Sequence, residues 1–410
     1  MTTNNAALPE NWLRNIILFL SSQTISLFGS SLVQYAIMWH ITLTTQSGLM
    51  MTLYIICGFI PTFLLSPVAG VWADRYNRKR LIMAADGLIA VATLILAVLF
   101  LMGFDSIWLL FAIAAVRAFG SGIQMPAVGA ILPQIVPKDQ LTKVNGVNGS
   151  IQAMIMFASP MVGAALLGMM PLEWIFFVDV ATAAIAIVTL SFLKVSVHEK
   201  AAGTQEAGYF SDFKEGLRYV NRHSFLKPFF LFFAVFFVLM APAAFLTPLQ
   251  VARSFNGGEW QLAAVEVAFS IGMMAGGAVI AFWGGFRNKN NTLGLGSMIM
   301  GVCTLALGVV PDFWVYLAFM ALFGVAVPFF NTPATVLLQE KVEEAYLGRV
   351  FGVMSMISTS MMPLGMLLFG PLSDVIKIEW MLIGTGILIL LLAYFLMRNK
   401  QLIEAGKPAV

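Results

Sequence analysis

Between two long apolar runs the chain reads Gly70-Val-Trp-Ala-Asp-Arg-Tyr-Asn-Arg-Lys-Arg80. The last six positions of this stretch hold four of the chain's 23 Lys and Arg residues. Short loops rich in Lys and Arg between membrane helices stay on the cytoplasmic side of the bilayer. The stretch therefore predicts a cytoplasmic turn and predicts that the apolar runs beside it cross the membrane.

The composition indicates a membrane protein over the whole length. Of the 410 residues, 60% are hydrophobic and only 10% are charged, whereas soluble domains carry about 25% charged residues. A water-soluble fold of this size would leave much apolar surface exposed, so we predict that the solvent is lipid. The net charge of +3 is too small to indicate a nucleic-acid partner.

Twelve apolar segments are long enough to cross a bilayer, which takes about 20 residues. The predicted spans are 15–40, 48–71, 81–102, 106–131, 146–169, 172–193, 226–249, 261–283, 292–310, 313–337, 350–369 and 378–397. We predict an all-α membrane protein of twelve transmembrane helices in two pseudo-symmetric six-helix halves. The predicted domains are an N-terminal half (1–193), a cytoplasmic linker with a surface helix near residues 211–220 (194–227) and a C-terminal half (228–410).

The positions of the cations predict the orientation. With both termini inside, the inner segments hold 20 of the 23 Lys and Arg residues, and the outer loops hold only Arg253 and Lys377. The remaining cation, Arg117, lies within a span. This asymmetry is typical of a multi-pass protein with cytoplasmic termini.

Four ionisable residues fall within predicted spans, namely Asp86, Arg117, Asp179 and Glu266. Each such charge costs about 2.5–3.5 kcal/mol at the centre of a helix, so these residues are candidates for function. Asp86 lies near the inner end of its helix, and we expect it to pair with the cations at 78–80. A nearby cation favours the ionised form of a carboxylate, so movement of Arg117 would let Asp179 or Glu266 take a proton. A static ion pair between helices is the alternative.

A polar stripe on the first helix, spaced at helical intervals, predicts a surface that faces a cavity, and hydrogen bonding between helices is the alternative. Met residues crowd the eleventh helix and Phe residues the seventh, which favours a surface for varied apolar ligands. Lipid contact or packing is the alternative for these apolar residues. The predicted substrate-cavity residues are Gln23, Ser26, Ser30, Gln34, Gln124, Asn331, Met354 and Ser358.

The sequence lacks a phosphate-binding Gly-x-x-x-x-Gly-Lys-Ser/Thr loop, and Cys57 and Cys303 are far apart. We therefore expect that ATP does not drive this protein directly, and we expect no metal and no cofactor. We expect no enzyme activity, because no inner or outer loop is long enough to build a soluble site. The partner expected from the composition is the lipid bilayer, and the expected state is a monomer.

The opening loop resembles the signature loop of the major facilitator superfamily, which reads Gly-x-x-x-Asp-Arg-x-Gly-Arg-Lys. The matching residues are Gly70, Asp74, Arg75, Arg78 and Lys79. Asn77 replaces the second Gly, and we expect the turn to survive because Asn tolerates a left-handed backbone.

Three further stretches carry the resemblance. Arg117-Ala-Phe-Gly-Ser-Gly122 resembles the superfamily's helix-4 motif, which is associated with proton coupling. Ser159-Pro-Met-Val-Gly-Ala164, with Pro160 and Gly163, resembles the antiporter motif Gly-Pro-x-x-Gly-Gly. Together with Tyr346-Leu-Gly-Arg-Val-Phe351, these stretches look like the macrolide-efflux type of drug:proton antiporter.

The resemblance implies proton-coupled export of amphipathic drugs such as macrolides by alternating access, across a bacterial plasma membrane. It implies a small amphipathic substrate and protons as partners, with the proton gradient as the energy source. Exporters of siderophores or other small molecules, lysophospholipid flippases and uptake symporters of the same fold are the alternatives. The resemblance further implies a cytoplasmic gate, for which a plain topology anchor is the alternative. The predicted gate residues are Gly70, Asp74, Arg75, Arg78, Lys79 and Asp86.

Overall fold

The structure is a computed structural model that describes residues 12–193, 215 and 218–407, with the backbone alone at 66, 67, 74, 138, 344 and 345. Regular secondary structure in these residues is helical, and no strand occurs among them. Twelve helices in this part of the chain are long and apolar enough to cross a membrane. The predicted all-α fold with twelve spans is therefore confirmed.

The spanning helices are α1 (Trp12–Thr45), α2 (Gly48–Arg75), α3 (Arg78–Leu101), α4 (Ile107–Ile135), α5 (Leu141–Met169), α6 (Leu172–Ser191), α7 (Leu226–Ser254), α8 (Glu259–Trp283), α9 (Lys289–Leu307), α10 (Phe313–Lys341), α11 (Glu344–Leu372) and α12 (Ile378–Arg398). A short helix, α13 (Lys400–Ala405), follows. Several helices extend beyond the predicted apolar segments, as α11 does at its start. Hydropathy marks only the part of a helix that matches the hydrocarbon thickness, and polar residues continue the helix outside it.

The turn between α2 and α3 is closed by a helix cap. Asn77 has φ −65° and ψ 111°, and its side chain accepts a hydrogen bond from the Arg80 backbone N–H at 3.2 Å. Asn is among the most favourable N-cap residues. The expectation of a left-handed backbone at Asn77 was wrong, because the residue starts α3 with its side chain instead.

The chain forms two compact units. The first comprises Met1–Ile41 and Leu53–Gln205, and the second comprises Thr42–Thr52 and Glu206–Val410. Within the first unit α3 packs against α4 and α6, and within the second α10 packs against α8 and α9. The predicted linker, 194–227, lies mostly outside the described residues, although 218–222 are helical. The predicted domain boundaries therefore stay a prediction.

In the second unit, the segment Thr42–Thr52 is bound to Asp374 in the connection between α11 and α12. The carboxylate accepts four hydrogen bonds, from Ser47 Oγ (2.8 Å), Gly48 N–H (2.8 Å), Leu49 N–H (3.0 Å) and the Arg253 guanidinium (2.7 Å). Two of these donors are the first N–H groups of α2, where the helix dipole favours an anion. Asp374 thus caps α2 and pairs with a cation of α7 at the same time.

Asp374 generates a prediction about pH. Burial alone would raise its pKa, but the four hydrogen bonds outweigh burial and hold the pKa below its ordinary value. A carboxylate with a depressed pKa stabilises the fold above its unfolded pKa, and that stabilisation is lost as the pH falls through the folded pKa. We expect Asp374→Asn to lower the unfolding temperature at neutral pH, and we expect this difference from wild type to shrink in acid.

Thermal unfolding of the detergent-purified protein, from about pH 7 to about pH 3, checks this expectation. Asp105→Asn, at an exposed carboxylate between α3 and α4, is the matched control and should change the unfolding temperature less. A difference for Asp374→Asn that stays constant with pH would contradict the argument.

In the second unit, glycines bring the backbones of α8 and α10 into direct contact. A Cβ atom would lie 1.9 Å from the Ala321 carbonyl oxygen at Gly272, and 2.3 Å from that of Val325 at Gly276. From the other side, a Cβ at Gly324 would lie 2.1 Å from a carbonyl oxygen of α8. Small residues allow such close packing between membrane helices, and any side chain at these positions would force α8 and α10 apart.

Neighbouring glycines of α8 allow a matched test of this contact. We expect Gly276→Ala to destabilise the protein by about 1–3 kcal/mol, the usual cost of overpacking. Gly277→Ala is the control, because a Cβ there meets nothing within 4 Å and Ala is favoured over Gly in a helix by about 1 kcal/mol. Unfolding temperatures in detergent measure both effects, and equal values for the two variants would show that the contact is absent.

Candidate functional site

In the first unit, a buried ion pair joins α4 to α6. The Arg117 guanidinium pairs with the Asp179 carboxylate, and the two side chains are 11% and 0% exposed. Asp179 also accepts hydrogen bonds from Thr93 Oγ1 on α3 at 3.2 Å and from Ser30 Oγ on α1 at 3.3 Å. Arg117 donates in turn to the Ser30 carbonyl oxygen at 3.2 Å. One ion pair thus connects four helices.

Asp86 lies about two helical turns inside α3 and bonds to neutral groups. Its Oδ1 accepts from Ser26 Oγ at 2.8 Å and from Gln124 Nε2 at 2.7 Å. Its Oδ2 is buried and has no hydrogen-bond partner among the described residues. The predicted pairing of Asp86 with the cations at 78–80 is wrong, because at this depth its hydrogen-bond partners are polar side chains of α1 and α4.

These side chains form two hydrogen-bonded groups on the same helices, one around Asp86 and one around the Arg117–Asp179 pair. We call the two groups together the polar ladder, which comprises Ser26, Ser30, Asp86, Thr93, Arg117, Gln124 and Asp179. Residues seven apart lie on one face of a helix. Because α3 and α4 run antiparallel, Asp86 meets Gln124 while Thr93 meets Arg117. Sequence reasoning missed Thr93, although its spacing of seven from Asp86 could have identified it.

The polar stripe of α1 is divided among several environments. Ser26 and Ser30 donate hydrogen bonds to Asp86 and Asp179. This agrees with the alternative prediction for the stripe, which was hydrogen bonding between helices. Gln34 is exposed and its carbonyl accepts from Tyr54 Oη at 3.1 Å. The Gln23 amide nitrogen is buried without a partner in the described part of the chain. Contact of these residues with substrate stays a prediction.

The residues that resemble the antiporter motif pack α5 against α1. Ser159 and Pro160 are buried, and the proline lies inside the helix. A Cβ at Gly163 would lie 3.7 Å from Tyr35 and 3.8 Å from Trp39, an ordinary van der Waals contact. A part in antiport for this motif stays a prediction.

Two cations of the basic loop bind carbonyl groups of their own unit. Arg78 donates to the carbonyl oxygen of Ala73 at 2.8 Å and to that of Ala130 at 2.7 Å. Lys79 donates to the carbonyl oxygens of Ser191 and Leu193 at 2.6 and 2.8 Å. Cations are favoured at the carbonyl ends of helices. These contacts hold the ends of α2, α4 and α6 together around the start of α3.

Two other predicted gate residues, Gly70 and Arg75, make no such contact among the described residues. Arg75 is exposed, and a Cβ at Gly70 would meet nothing within 4 Å. The side chain of Asp74 lies outside the described residues. The predicted gate therefore stays a prediction.

In the second unit, a cavity of about 280 Å³ contains Glu266. It is enclosed by α7 to α11, and most of its wall is aromatic or sulfur-containing: Phe236, Phe237, Met240, Phe269, Met300, Met320, Phe323, Phe330 and Met362. Glu266 is the only ionisable side chain among the described residues that line it. No hydrogen bond or ion pair to Glu266 occurs within the described part of the chain. We call this space the Glu266 cavity.

The wall of the Glu266 cavity includes a change of helical pitch in α7. Pro242–Leu246 forms a π-helical turn between two α-helical segments. Proline lacks the N–H that would continue the α-helix, and π turns inside α-helices are frequent at functional sites. Ala243 and Ala244 of this turn line the cavity.

Only one of the predicted substrate residues lines the Glu266 cavity, namely Asn331. Met354 and Ser358 do not, and the Ser358 hydroxyl donates to the Ser355 carbonyl oxygen of its own helix at 3.0 Å. The sequence does show an excess of Phe in α7 and of Met in α11. Composition alone, however, does not show which of these side chains face the cavity.

Twelve spanning helices, with an ion pair and a cavity inside the helical units, define a membrane transport protein. The profile of the Major Facilitator Superfamily matches residues 15–366. The chain belongs to this superfamily and is a multi-pass membrane transporter. The resemblance drawn from the basic loop is thereby confirmed.

The chain is similar to efflux proteins along almost its whole length. It is 28% identical over 386 residues to macrolide efflux protein A of Streptococcus pyogenes, covering 94% of this chain and 95% of that protein. It is 24% identical over 409 residues to the multidrug efflux pump Tap of Mycolicibacterium fortuitum, covering 96% and 98%. A crystal structure of a bacterial homologue of the iron transporter ferroportin shares the fold, with a TM-score of 0.71, 16% identity and coverage of 94% and 99%.

The Arg117–Asp179 pair generates a prediction about stability. Asp179→Asn leaves the Arg117 charge buried without its counter-charge, so we expect a loss of about 3–5 kcal/mol in the free energy of unfolding. The double variant Arg117→Gln with Asp179→Asn removes both charges and should recover most of this loss. Unfolding temperatures of wild type, Asp179→Asn, Arg117→Gln and the double variant in detergent measure the effect. A double variant as unstable as the sum of its single changes would indicate that the two charges act independently.

Proposed function

We propose that this transporter exports amphipathic drugs, with macrolides as the first class to test. The observation that carries the proposal is the similarity to macrolide efflux protein A, which covers 94% of this chain and 95% of that protein. A match of this extent includes the helices of the polar ladder and of the Glu266 cavity, and not only the basic loop. The cavity's flexible Met and broad Phe side chains suit a varied set of apolar ligands.

We propose further that proton entry drives export through alternating access of the two units. The polar ladder supports this proposal, because a carboxylate that loses a neighbouring cation in a low-dielectric site is stabilised by taking a proton. Arg117 stands in that relation to Asp179. Glu266 is the second candidate, because it is a carboxylate in an apolar cavity.

Transport in cells tests both parts of the proposal. In a host that lacks its own drug pumps, we expect the protein to raise macrolide resistance and to lower dye accumulation, and we expect a proton uncoupler to abolish both effects. Glu266→Gln and Asp179→Asn are introduced one at a time. Glu259→Gln, at the start of the same helix as Glu266, is the matched control and should transport normally.

Three other outcomes of this experiment would change the proposal. Full uncoupler-sensitive transport by both variants would place the proton carrier elsewhere, and insensitivity to the uncoupler would exclude proton coupling. Unchanged drug susceptibility with altered lysophospholipid import would replace drug export with a flippase activity.

A further inference from the structure

We propose that the Glu266 cavity is a binding site for a hydrophobic amine that carries a single positive charge, with Glu266 as its counter-ion. The inference deepens the proposed function, on which it rests, by naming the part of an amphipathic substrate that the second unit binds.

The first step is the charge of the cavity. Glu266 is the only ionisable group among the described residues of the wall. An ionised carboxylate in a low-dielectric site is costly without a counter-charge, and the described residues of the wall supply no cation. The charge is therefore neutralised either by a proton or by a bound cation, and a bound cation would take the place of the proton. One carboxylate balances one positive charge. The cavity therefore favours a monocation over an anion or a dication.

The second step is the chemistry of the wall. Phe236, Phe269 and Phe323 are among the aromatic rings that line the cavity, and the faces of aromatic rings attract cations. Rings and Met side chains also contact hydrocarbon groups without requiring hydrogen bonds. An alkylated ammonium group suits this wall better than a primary ammonium group, because it has fewer N–H donors to satisfy.

The third step is size and access. A volume of about 280 Å³ is near the lower limit for sites that hold drug-sized ligands, about 300–1,000 Å³. The cavity therefore accommodates a small amine or the amine-bearing part of a larger molecule. A macrolide would place its dimethylamino sugar here and leave its lactone ring outside. Ala244 and Asn331 line the cavity and are also exposed, so the wall of the cavity reaches the accessible surface of the unit.

Equilibrium binding to the purified full-length protein tests the inference without a proton gradient. The probes are N,N-dimethyl-4-phenylbutylamine, which is protonated at neutral pH, and its neutral carbon isostere (5-methylhexyl)benzene. Ligand-induced stabilisation against thermal unfolding gives the affinity. We expect wild type to bind the amine at least about tenfold more tightly than the isostere, which is 1.4 kcal/mol.

Three variants isolate the role of the charge. Glu266→Gln should lose the preference for the amine and bind both probes equally, Glu266→Asp should keep the preference, and Glu259→Gln should behave as wild type. Unfolding temperatures without ligand show whether each variant is folded. Equal binding of both probes by wild type, or an unchanged preference in Glu266→Gln, would overturn the inference.

The result separates this inference from the proposed function. Amine binding that depends on Glu266, in a protein that exports no drug from cells, would support the site and contradict the drug exporter. Drug export by wild type together with equal binding of the two probes would support the exporter and contradict the site.

Discussion

A charge inside a lipid bilayer has to be matched by a partner from the protein, and the first unit is arranged to match Arg117. Its ion pair with Asp179 draws α4 to α6, and the hydrogen bonds of Thr93 and Ser30 add α3 and α1. Removing one member of such a pair destabilises a protein far more than replacing both members by apolar residues. This one ion pair therefore links the positions of four helices.

In the second unit, the contact between α8 and α10 is of another kind. These two helices approach through glycines until their backbones touch, which relies on dispersion and close packing instead of charge. Phe236 stacks on Phe330 with ring centroids 4.3 Å apart, so aromatic packing continues up to the wall of the Glu266 cavity. Because close packing stabilises these helices, the Glu266 carboxylate does not have to form a hydrogen bond or ion pair that holds them together.

Hydropathy and charge asymmetry were sufficient to predict the helices, because lipid solvent imposes length and composition on every span. Motif spacing was sufficient for the superfamily. The sequence could not give the contacts that depend on how helices face one another. Asp86 was assigned to the basic loop because it is close to the loop in sequence, whereas α3 turns it towards Ser26 and Gln124. Thr93 carries no charge and was overlooked for that reason.

The Glu266 cavity shows the same limit more strongly. Its wall comes from five helices, and Phe or Met in a membrane helix can face either the lipid or the protein interior. Only the register between helices determines which of these side chains converge. Asn77 is a smaller example of the same limit. From the sequence, we expected Asn77 to replace glycine by adopting a left-handed backbone, whereas in the structure its side chain accepts a hydrogen bond that caps α3.

Three carboxylates of this chain occupy three environments, and the difference bears on which of them could exchange a proton during transport. Asp374 accepts four hydrogen bonds that cap α2 and bind Arg253, so protonation there would weaken the fold. Releasing Asp179 would leave the Arg117 charge buried alone, at a cost that several helices would share. Glu266 has no described hydrogen bond or ion pair, so a change in its charge breaks no contact that holds the described helices together. On these energetic grounds, proton coupling through Glu266 would require less rearrangement of the protein than coupling through Asp179.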